Sequence, residues 1–207
     1  MPLDPSLRLR TGPDGGVRCW WCGDDPLYVD YHDHEWGRLT VDDVPLFEKF
    51  CLEGFQSGLS WITVLRKRPA FREAFCGFDL ERVASFGEAD VQRLLGNAGI
   101  IRHRGKIESA VNNARRALDL LGEYESLFAF VVQFADHRGH RLRPEDELRA
   151  TSPESTALSK ELKRRGWSFV GPTTMYAFLQ AMGLVDDHIE GCAVDPGLTG
   201  PAAGPSR

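Results

Sequence analysis

The sequence predicts an all-α fold, because apolar residues recur at helical spacing through most of the chain. The clearest examples are DDVPLFEKFCLEGF (42–55) and KIESAVNNARRALDLLGEY (106–124). No hairpin signal and no internal repeat is apparent between the helical segments. The 207 residues, 42% of them hydrophobic, suffice for the core of a single domain.

Start and stop signals bound the predicted helices. Asp42 or Asp43 caps the first, with Pro45 in its first turn. Ser60 caps a second helix, which Pro69 is expected to end, so that residues 71–75 form a separate short helix. Further helices are predicted at 88–96, 106–124, 126–135, 152–166 and 172–184. The last two open with a Ser/Thr–Glu capping pattern and with Pro172.

The two ends of the chain are rich in Gly, Pro and small residues. We therefore predict a flexible leader (1–16), a single helical domain (17–196) and a flexible tail (197–207). The leader lacks the apolar core of a signal peptide, and no apolar run reaches the length of a membrane span. A cytoplasmic protein with no membrane partner is expected, with a monomer as the default state.

Charge and cysteine count limit the function classes. The formal net charge of -5 argues against a general polyanion binder, although a local basic face is enough to contact DNA phosphates. Five cysteines without a secretion signal make a disulfide framework an unattractive interpretation.

Two pairs of potential metal ligands stand near the ends of the chain. Cys19 precedes His32 by thirteen residues, and His188 precedes Cys192 by four. Two thiolates and two imidazoles suit a closed tetrahedral Zn²⁺ site, which would join the first element to the last. Cys22 forms a C-x-x-C pair with Cys19, which is itself a zinc-binding pattern, so either thiol is a candidate for the first ligand.

The segment LLGNAGIIRHRGKI (94–107) indicates two helices joined by a short basic loop. Such a turn directs backbone N–H groups and a helix N-terminus outward, which suits a DNA phosphate. The candidate DNA-binding residues are Gly99, Ile100, Ile101, Arg102, His103, Arg104, Gly105 and Lys106. The alternative is a plain helical hairpin whose basic side chains are simply solvated.

Aromatic residues cluster around one acid in two neighbouring segments. PLYVDYHDHEWG holds Tyr28, Tyr31 and Trp36, and CLEGFQSGLSW holds Glu53, Gln56 and Trp61. A flipped base stacks between aromatic rings and is read through hydrogen bonds to its edge. A cationic base gains further from ring faces and from a carboxylate. The alternative is that the aromatics are core and Glu53 is solvated.

These segments together resemble the bacterial 3-methyladenine DNA glycosylase I family. The resemblance rests on RCWW, PLYVDYHDHEWG, LFEKFCLEGFQSGLSWITVLRKR, GIIRHRGKI and ALSKELKRRGWSFVGPTTMYAFLQAMGLVDDHIEGC, from about Cys19 to Pro196. It implies a helix-hairpin-helix DNA glycosylase fold. It also implies monofunctional excision of N3-methyladenine, and in some members N3-methylguanine, from alkylated double-stranded DNA, with the free base as product.

The resemblance also implies roles for individual residues. Glu53 matches the catalytic pocket acid that reads the methylated adenine. The matching pocket residues are Tyr28, Tyr31 and Trp61, with Trp21, Trp36 and Gln56 nearby. The matching ligands of one structural zinc ion are Cys19, His32, His188 and Cys192. Cys22 and Phe55 depart from the family pattern.

Three rival functions remain at this point. A bifunctional glycosylase-lyase would need an amine, for which Lys106 is the candidate. A zinc-dependent hydrolase would need an open metal position. A non-enzymatic DNA-binding module would need neither a reactive amine nor an open metal position.

Overall fold

The computed structural model describes residues 7–136 and 141–194, and these form a mainly helical domain with one small hairpin. The strands are β1 (Leu9–Thr11) and β2 (Val17–Cys19). The α-helices are α1 (Pro26–His34), α2 (Asp43–Gln56), α3 (Trp61–Ala74), α4 (Leu80–Ala84), α5 (Glu88–Gly96), α6 (Arg104–Leu121), α7 (Leu127–Val131), α8 (Pro153–Arg164) and α9 (Pro172–Ala181). Short 3₁₀ helices lie at Trp20–Cys22, Cys76–Phe78 and Val132–Phe134.

The hairpin corrects the sequence analysis, which predicted none and assigned residues 1–16 to a flexible leader. Strands β1 and β2 pair antiparallel, with Leu9 opposite Cys19. The turn between them closes because Gly12 N donates to Gly16 O at 2.9 Å and Gly15 takes a φ of 80°. The sequence Pro13-Asp14-Gly15 suits a type I turn followed by a glycine at positive φ, a signal that the prediction left unused. Residues 1–6 and the predicted tail at 197–207 lie outside the described part of the chain.

Helix α3 also differs from the prediction, because it continues through Pro69 to Ala74 instead of ending before the proline. Proline removes one backbone donor from the helix interior and usually costs stability there. Phe71, just beyond it, is fully buried, and so is Phe75 at the helix end. Burial of these rings therefore outweighs the local preference. Helices α1 and α4 were not predicted.

Helix α2 is the centre of the core. Its buried positions include Leu46, Phe47 and Leu52, each with no exposed surface, and they extend around most of the helix. Helices α3, α6, α7 and α9 pack around it. A helix that is apolar on nearly all sides is expected at the middle of a domain, and the polar residues on α2 therefore need specific partners.

The two ends of the described chain meet beside this core. Ala193 N donates to Val17 O at 2.8 Å, and Leu142 forms a parallel bridge with Ile189. Cys19, Leu142, Ile189 and Cys192 form a second small buried cluster. Among the described residues, no helix combines the length and the apolar character that a membrane span needs.

Candidate active site

A cavity of about 200 Å³ opens between the first 3₁₀ helix, α1, α2, α3, α9 and the segments before α8 and after α9. This volume lies below the roughly 300–1,000 Å³ typical of pockets for drug-sized ligands, so it suits a small flat molecule. All seven predicted pocket residues line it: Trp21, Tyr28, Tyr31, Trp36, Glu53, Gln56 and Trp61. The aromatic and acidic cluster seen in the sequence is therefore one site in the fold.

Helix geometry aims these side chains at the cavity. Tyr28 and Tyr31 are three residues apart on α1, as are Glu53 and Gln56 on α2, and residues at this spacing share a helix face. The side chain of Asp25 caps α1 by accepting from Leu27 N at 3.0 Å. The cap sets where α1 begins and so which of its residues face the cavity.

The aromatic rings around the cavity contact one another at an angle. The ring centroids of Trp21 and Trp36 are 4.8 Å apart at 70°, and those of Tyr31 and Trp61 are 5.4 Å apart at 44°. Edge and tilted contacts of this kind brace the rings. We call the rings that line the cavity the aromatic box: Trp21, Tyr28, Tyr31, Trp36 and Trp61.

Glu53 is the buried acid of the box, with 4% of its surface exposed. Within the described residues, its Oε2 atom has no hydrogen-bond partner. Burial raises the pKa of Glu53 to about 7, while the nearby charge of Lys49 opposes that rise. An unpartnered buried acid is costly, and such a cost is characteristic of a binding site. A cationic or hydrogen-bond-donating ligand would relieve it.

A cluster of ion pairs lies behind the box. Lys49 Nζ contacts Glu35 Oε1 at 3.1 Å, and Glu35 also pairs with Arg68. Arg68 in turn binds Glu48, which is buried. These pairs satisfy the charges that α2 carries into the core.

The sequence analysis missed several residues that line the cavity. Gln180 Nε2 donates to Asp187 Oδ2 at 2.6 Å, and Tyr176 OH donates to the same oxygen at 2.6 Å. Gln180 and Asp187 line the cavity directly. The other missed residues are Trp20, Leu142, Leu148, Arg149 and Ala177. Trp20, Gln180 and Asp187 lie within segments on which the family resemblance rests, but no local pattern marks them as pocket residues.

Three of the four predicted metal ligands bring donor atoms together near Trp36, and the fourth lies beside them. One donor atom each of Cys19, His32 and Cys192 lies within 4.8 Å of the others. The fourth residue, His188, has its ring centroid 5.3 Å from that of His32. Its buried Nε2 has no hydrogen-bond partner among the described residues.

Carboxylates orient both imidazoles. His32 Nδ1 donates to Asp33 Oδ1 at 2.8 Å, and His188 Nδ1 donates to Asp186 Oδ1 at 2.9 Å. Each ring therefore keeps Nε2 as the atom available for a metal, as is usual for histidine ligands. A hydrogen bond of 3.7 Å already joins His32 Nε2 to the Cys192 thiol.

Cys22 does not belong to this group of donors. Its thiol is directed to the carbonyl oxygen of Cys19 at 3.2 Å. Of the two alternatives left open by the C-x-x-C pair, the geometry therefore favours Cys19. Gly37, with a φ of 78°, packs so close to the ring of His188 that a Cβ there would lie 2.6 Å from Cε1.

The basic loop joins α5 to α6, and its predicted residues differ in their surroundings. Ile100 is buried, Ile101 is half-buried, and Arg102 and His103 are exposed. His103 caps α6, with Nδ1 accepting from Lys106 N at 3.3 Å. Gly99 lies within the loop, where its N donates to Asn97 Oδ1, and Gly105 lies in the first turn of α6.

The charged residues of this segment differ in their partners. Lys106 is buried, and its Nζ donates to the carbonyls of Phe55 at 2.9 Å and Ser57 at 2.6 Å, at the end of α2. Its ammonium therefore satisfies carbonyls at that helix end. Arg104 pairs with Glu88 and Glu108, and these carboxylates offset the positive charge of the guanidinium at this surface. No described residue forms an ion pair or side-chain hydrogen bond with Arg102.

Comparisons with known proteins agree on one family. A model described as methyladenine glycosylase matches residues 21–195. A DNA-3-methyladenine glycosylase 1 of Escherichia coli (strain K12) is 49% identical over 182 residues, which covers 87% of this chain and 97% of the relative. A DNA-3-methyladenine glycosylase of Haemophilus influenzae is 47% identical over 179 residues, covering 85% of this chain and 96% of the relative.

Solved structures show the same likeness. A crystal structure of 3-methyladenine DNA glycosylase I is 50% identical with a TM-score of 0.79, covering 85% of this chain and 98% of the other. The Staphylococcus aureus 3-methyladenine DNA glycosylase I, whose structure concerns 3-methyladenine recognition, is 38% identical with a TM-score of 0.77, covering 82% and 91%.

Proposed function

The chain belongs to the methyladenine glycosylase family, and we propose that it hydrolyses the N-glycosidic bond of N3-methyladenine in alkylated double-stranded DNA. The products are free 3-methyladenine and an abasic site. The single observation that carries this proposal is Glu53, an acid buried inside an aromatic box, where no residue that the structure describes bonds its Oε2.

The box accounts for recognition of a charged base. Methylation at N3 gives the purine a positive charge, which ring faces and a carboxylate both attract. Tyr31 and Trp61 offer ring surface, and Glu53 accepts hydrogen bonds from the adenine edge. Normal adenine carries neither the charge nor the methyl group and gains less from this site. Activity on N3-methylguanine is a weaker expectation of the same proposal.

Because the base is charged, cleavage of its bond to the sugar needs little further catalysis. The alkylated base leaves as a neutral molecule, so the bond to the sugar is already weak. The enzyme then needs to extrude the nucleotide, discriminate it and place water. A damaged base costs less to unstack, which adds selectivity.

A structural zinc ion is the second part of the proposal. Cys19, His32, His188 and Cys192 would hold it, and their two thiolates and two imidazoles match a closed tetrahedral site. Bound there, the ion supplies a link between the ends of the domain. Two observations support this assignment: the Nε2 of His188 has no partner in the described part of the chain, and carboxylates orient both imidazoles.

The loop before α6 is the proposed DNA contact, as in a helix-hairpin-helix element. Arg102 is exposed and pairs with no acid among the residues described, whereas Lys106 contacts the end of α2 from α6. The engaged amine of Lys106 also argues against the lyase alternative, which requires a nucleophilic amine at the sugar. The cytoplasmic location and monomeric state stay predictions.

The binding of free 3-methyladenine, followed by tryptophan fluorescence, tests the pocket. We expect Glu53→Gln to weaken binding at pH 8 by tenfold or more, which corresponds to about 1.4 kcal/mol. Glu81→Gln removes an exposed acid from α4 and is the matched control, with binding unchanged. Equal affinity in the wild type and Glu53→Gln would remove Glu53 from base recognition.

A further inference from the structure

Lys49 is a buried ammonium group that the proposed reaction does not yet use. Only 1% of its surface is exposed, in the middle of the apolar helix α2. It is not among the residues that line the cavity. Burial of a lysine is costly, and its pKa is lowered chiefly by that burial, with Glu35 and Glu53 opposing the effect.

The ammonium of Lys49 contacts two walls of the aromatic box from behind. Nζ lies 4.7 Å from the ring centroid of Tyr31 and 4.5 Å from that of Trp61. Cations at such distances are attracted by ring faces. The contacts fix both rings relative to α2.

Lys49 also determines how the hydroxyl of Tyr31 is used. Nζ donates to the Tyr31 oxygen at 3.1 Å. An ammonium has three donors and no acceptor, so the phenolic oxygen must accept this bond. The phenolic O–H can then donate to a different acceptor, such as a ring nitrogen of a bound purine.

The third effect is electrostatic and acts on Glu53. Lys49 and Glu53 are four residues apart, on the same face of α2. Lys49 opposes the burial that raises the pKa of Glu53. Tyr28 and Tyr31 face the acid from α1, and Asp187 and Arg149 line the same cavity from later segments. Glu35 and Arg68 surround Lys49 itself.

We propose that Lys49 is a positioning residue of the base pocket, which turns the Tyr31 hydroxyl into a donor towards the base and holds Glu53 in its ionised form. The inference rests on the proposed function but concerns a residue that does not touch the base. Without Lys49, the acid that faces the bound base would be neutral over more of the pH range.

The pH dependence of 3-methyladenine binding tests this inference. In the wild type, affinity should fall as the pH drops through about 7, because Glu53 becomes protonated there. The acid limb is the part of the profile where affinity falls as the pH drops. Lys49→Met and Lys49→Gln remove the charge, so this limb should move to higher pH by about one unit or more, as expected on loss of a nearby opposite charge. Lys49→Arg retains a charge and should hold the limb near its wild-type position.

Arg72→Met is the matched control, because Arg72 belongs to the same ion-pair cluster but is half-exposed and pairs with Glu48. Its acid limb should stay in place. An unmoved limb in a folded Lys49→Met or Lys49→Gln protein would overturn the inference and leave Lys49 with a packing role. A wild-type protein that binds no 3-methyladenine at any pH would overturn the proposed function, and this inference with it.

Discussion

At the level of single residues, Glu53 contributes to base binding but lowers the stability of the folded protein. Its carboxyl group is buried, its Oε2 bonds to nothing in residues 7–136 and 141–194, and its pKa is raised to about 7. In the unfolded chain the same group titrates near 4.5. The folded protein therefore holds this proton more tightly than the unfolded chain does, and stability is lost as the pH rises between these two values.

This linkage predicts a pH-dependent gain in stability for Glu53→Gln. The charged acid costs the folded wild type roughly 3 kcal/mol above pH 7, and the amide removes this cost. The free energy of unfolding of Glu53→Gln relative to wild type should therefore increase from pH 5 to pH 8, as measured by urea denaturation. Glu81→Gln should show no such trend. A constant difference at both pH values would mean that Glu53 is not buried as an ionisable acid.

At the scale of elements, the sequence predicted helices well where start signals and apolar spacing agree. Helix α5 matches its predicted span, and α9 begins at Pro172 as expected. The prediction failed where tertiary packing decides, since burial of Phe71 and Phe75 carries α3 through Pro69. The β-hairpin was missed because its strands have only three residues each, too few for a clear alternation.

The site residues were also predicted where local sequence signals suffice and missed where tertiary packing decides. Residues close together in the sequence, such as Tyr28 with Tyr31 and Glu53 with Gln56, were predicted to form a pocket and do line one cavity. Gln180 reaches the cavity only through the packing of α9 against α2, which no local pattern reports. The role of Lys106 was also hidden, because a basic loop in sequence does not show that one of its ammonium groups turns inward to the end of α2.

The loop before α6 offers a prediction of its own. We expect Arg102→Ala to weaken DNA binding and to reduce the slope of log affinity against log salt by about 1, because one phosphate contact is lost. Lys106→Met should lower stability by unpairing the carbonyls of Phe55 and Ser57 and leave that slope unchanged. Salt titrations of both variants make the comparison. The reverse pattern would assign the phosphate contact to Lys106.

At the scale of the whole molecule, the two ends of the described chain are joined at one buried cluster. Ile189 N donates to the Cys19 thiol, and Ala193 N donates to Val17 O. A zinc ion held at this point would close a loop that contains nearly the entire domain. Its loss should therefore affect global stability and not a single element.

The zinc proposal predicts different results for two neighbouring cysteines. Cys19→Ser should bind less zinc and lose roughly 3 kcal/mol or more of stability, which lowers Tm by about 6–12 °C. Cys22→Ser should keep one zinc per chain, because its thiol contacts only backbone carbonyls. Atomic absorption and thermal melts measure both effects. Retention of zinc by Cys19→Ser with loss in Cys22→Ser would exchange the two assignments.

The decisive measurement is the release of free bases from methylated duplex DNA by the purified protein, resolved by chromatography. We expect release of 3-methyladenine, with 7-methylguanine left in the DNA, and a strong reduction in the Glu53→Gln variant. A folded, zinc-loaded protein that binds the duplex and releases no base would contradict it and leave a DNA-binding module without glycosylase activity.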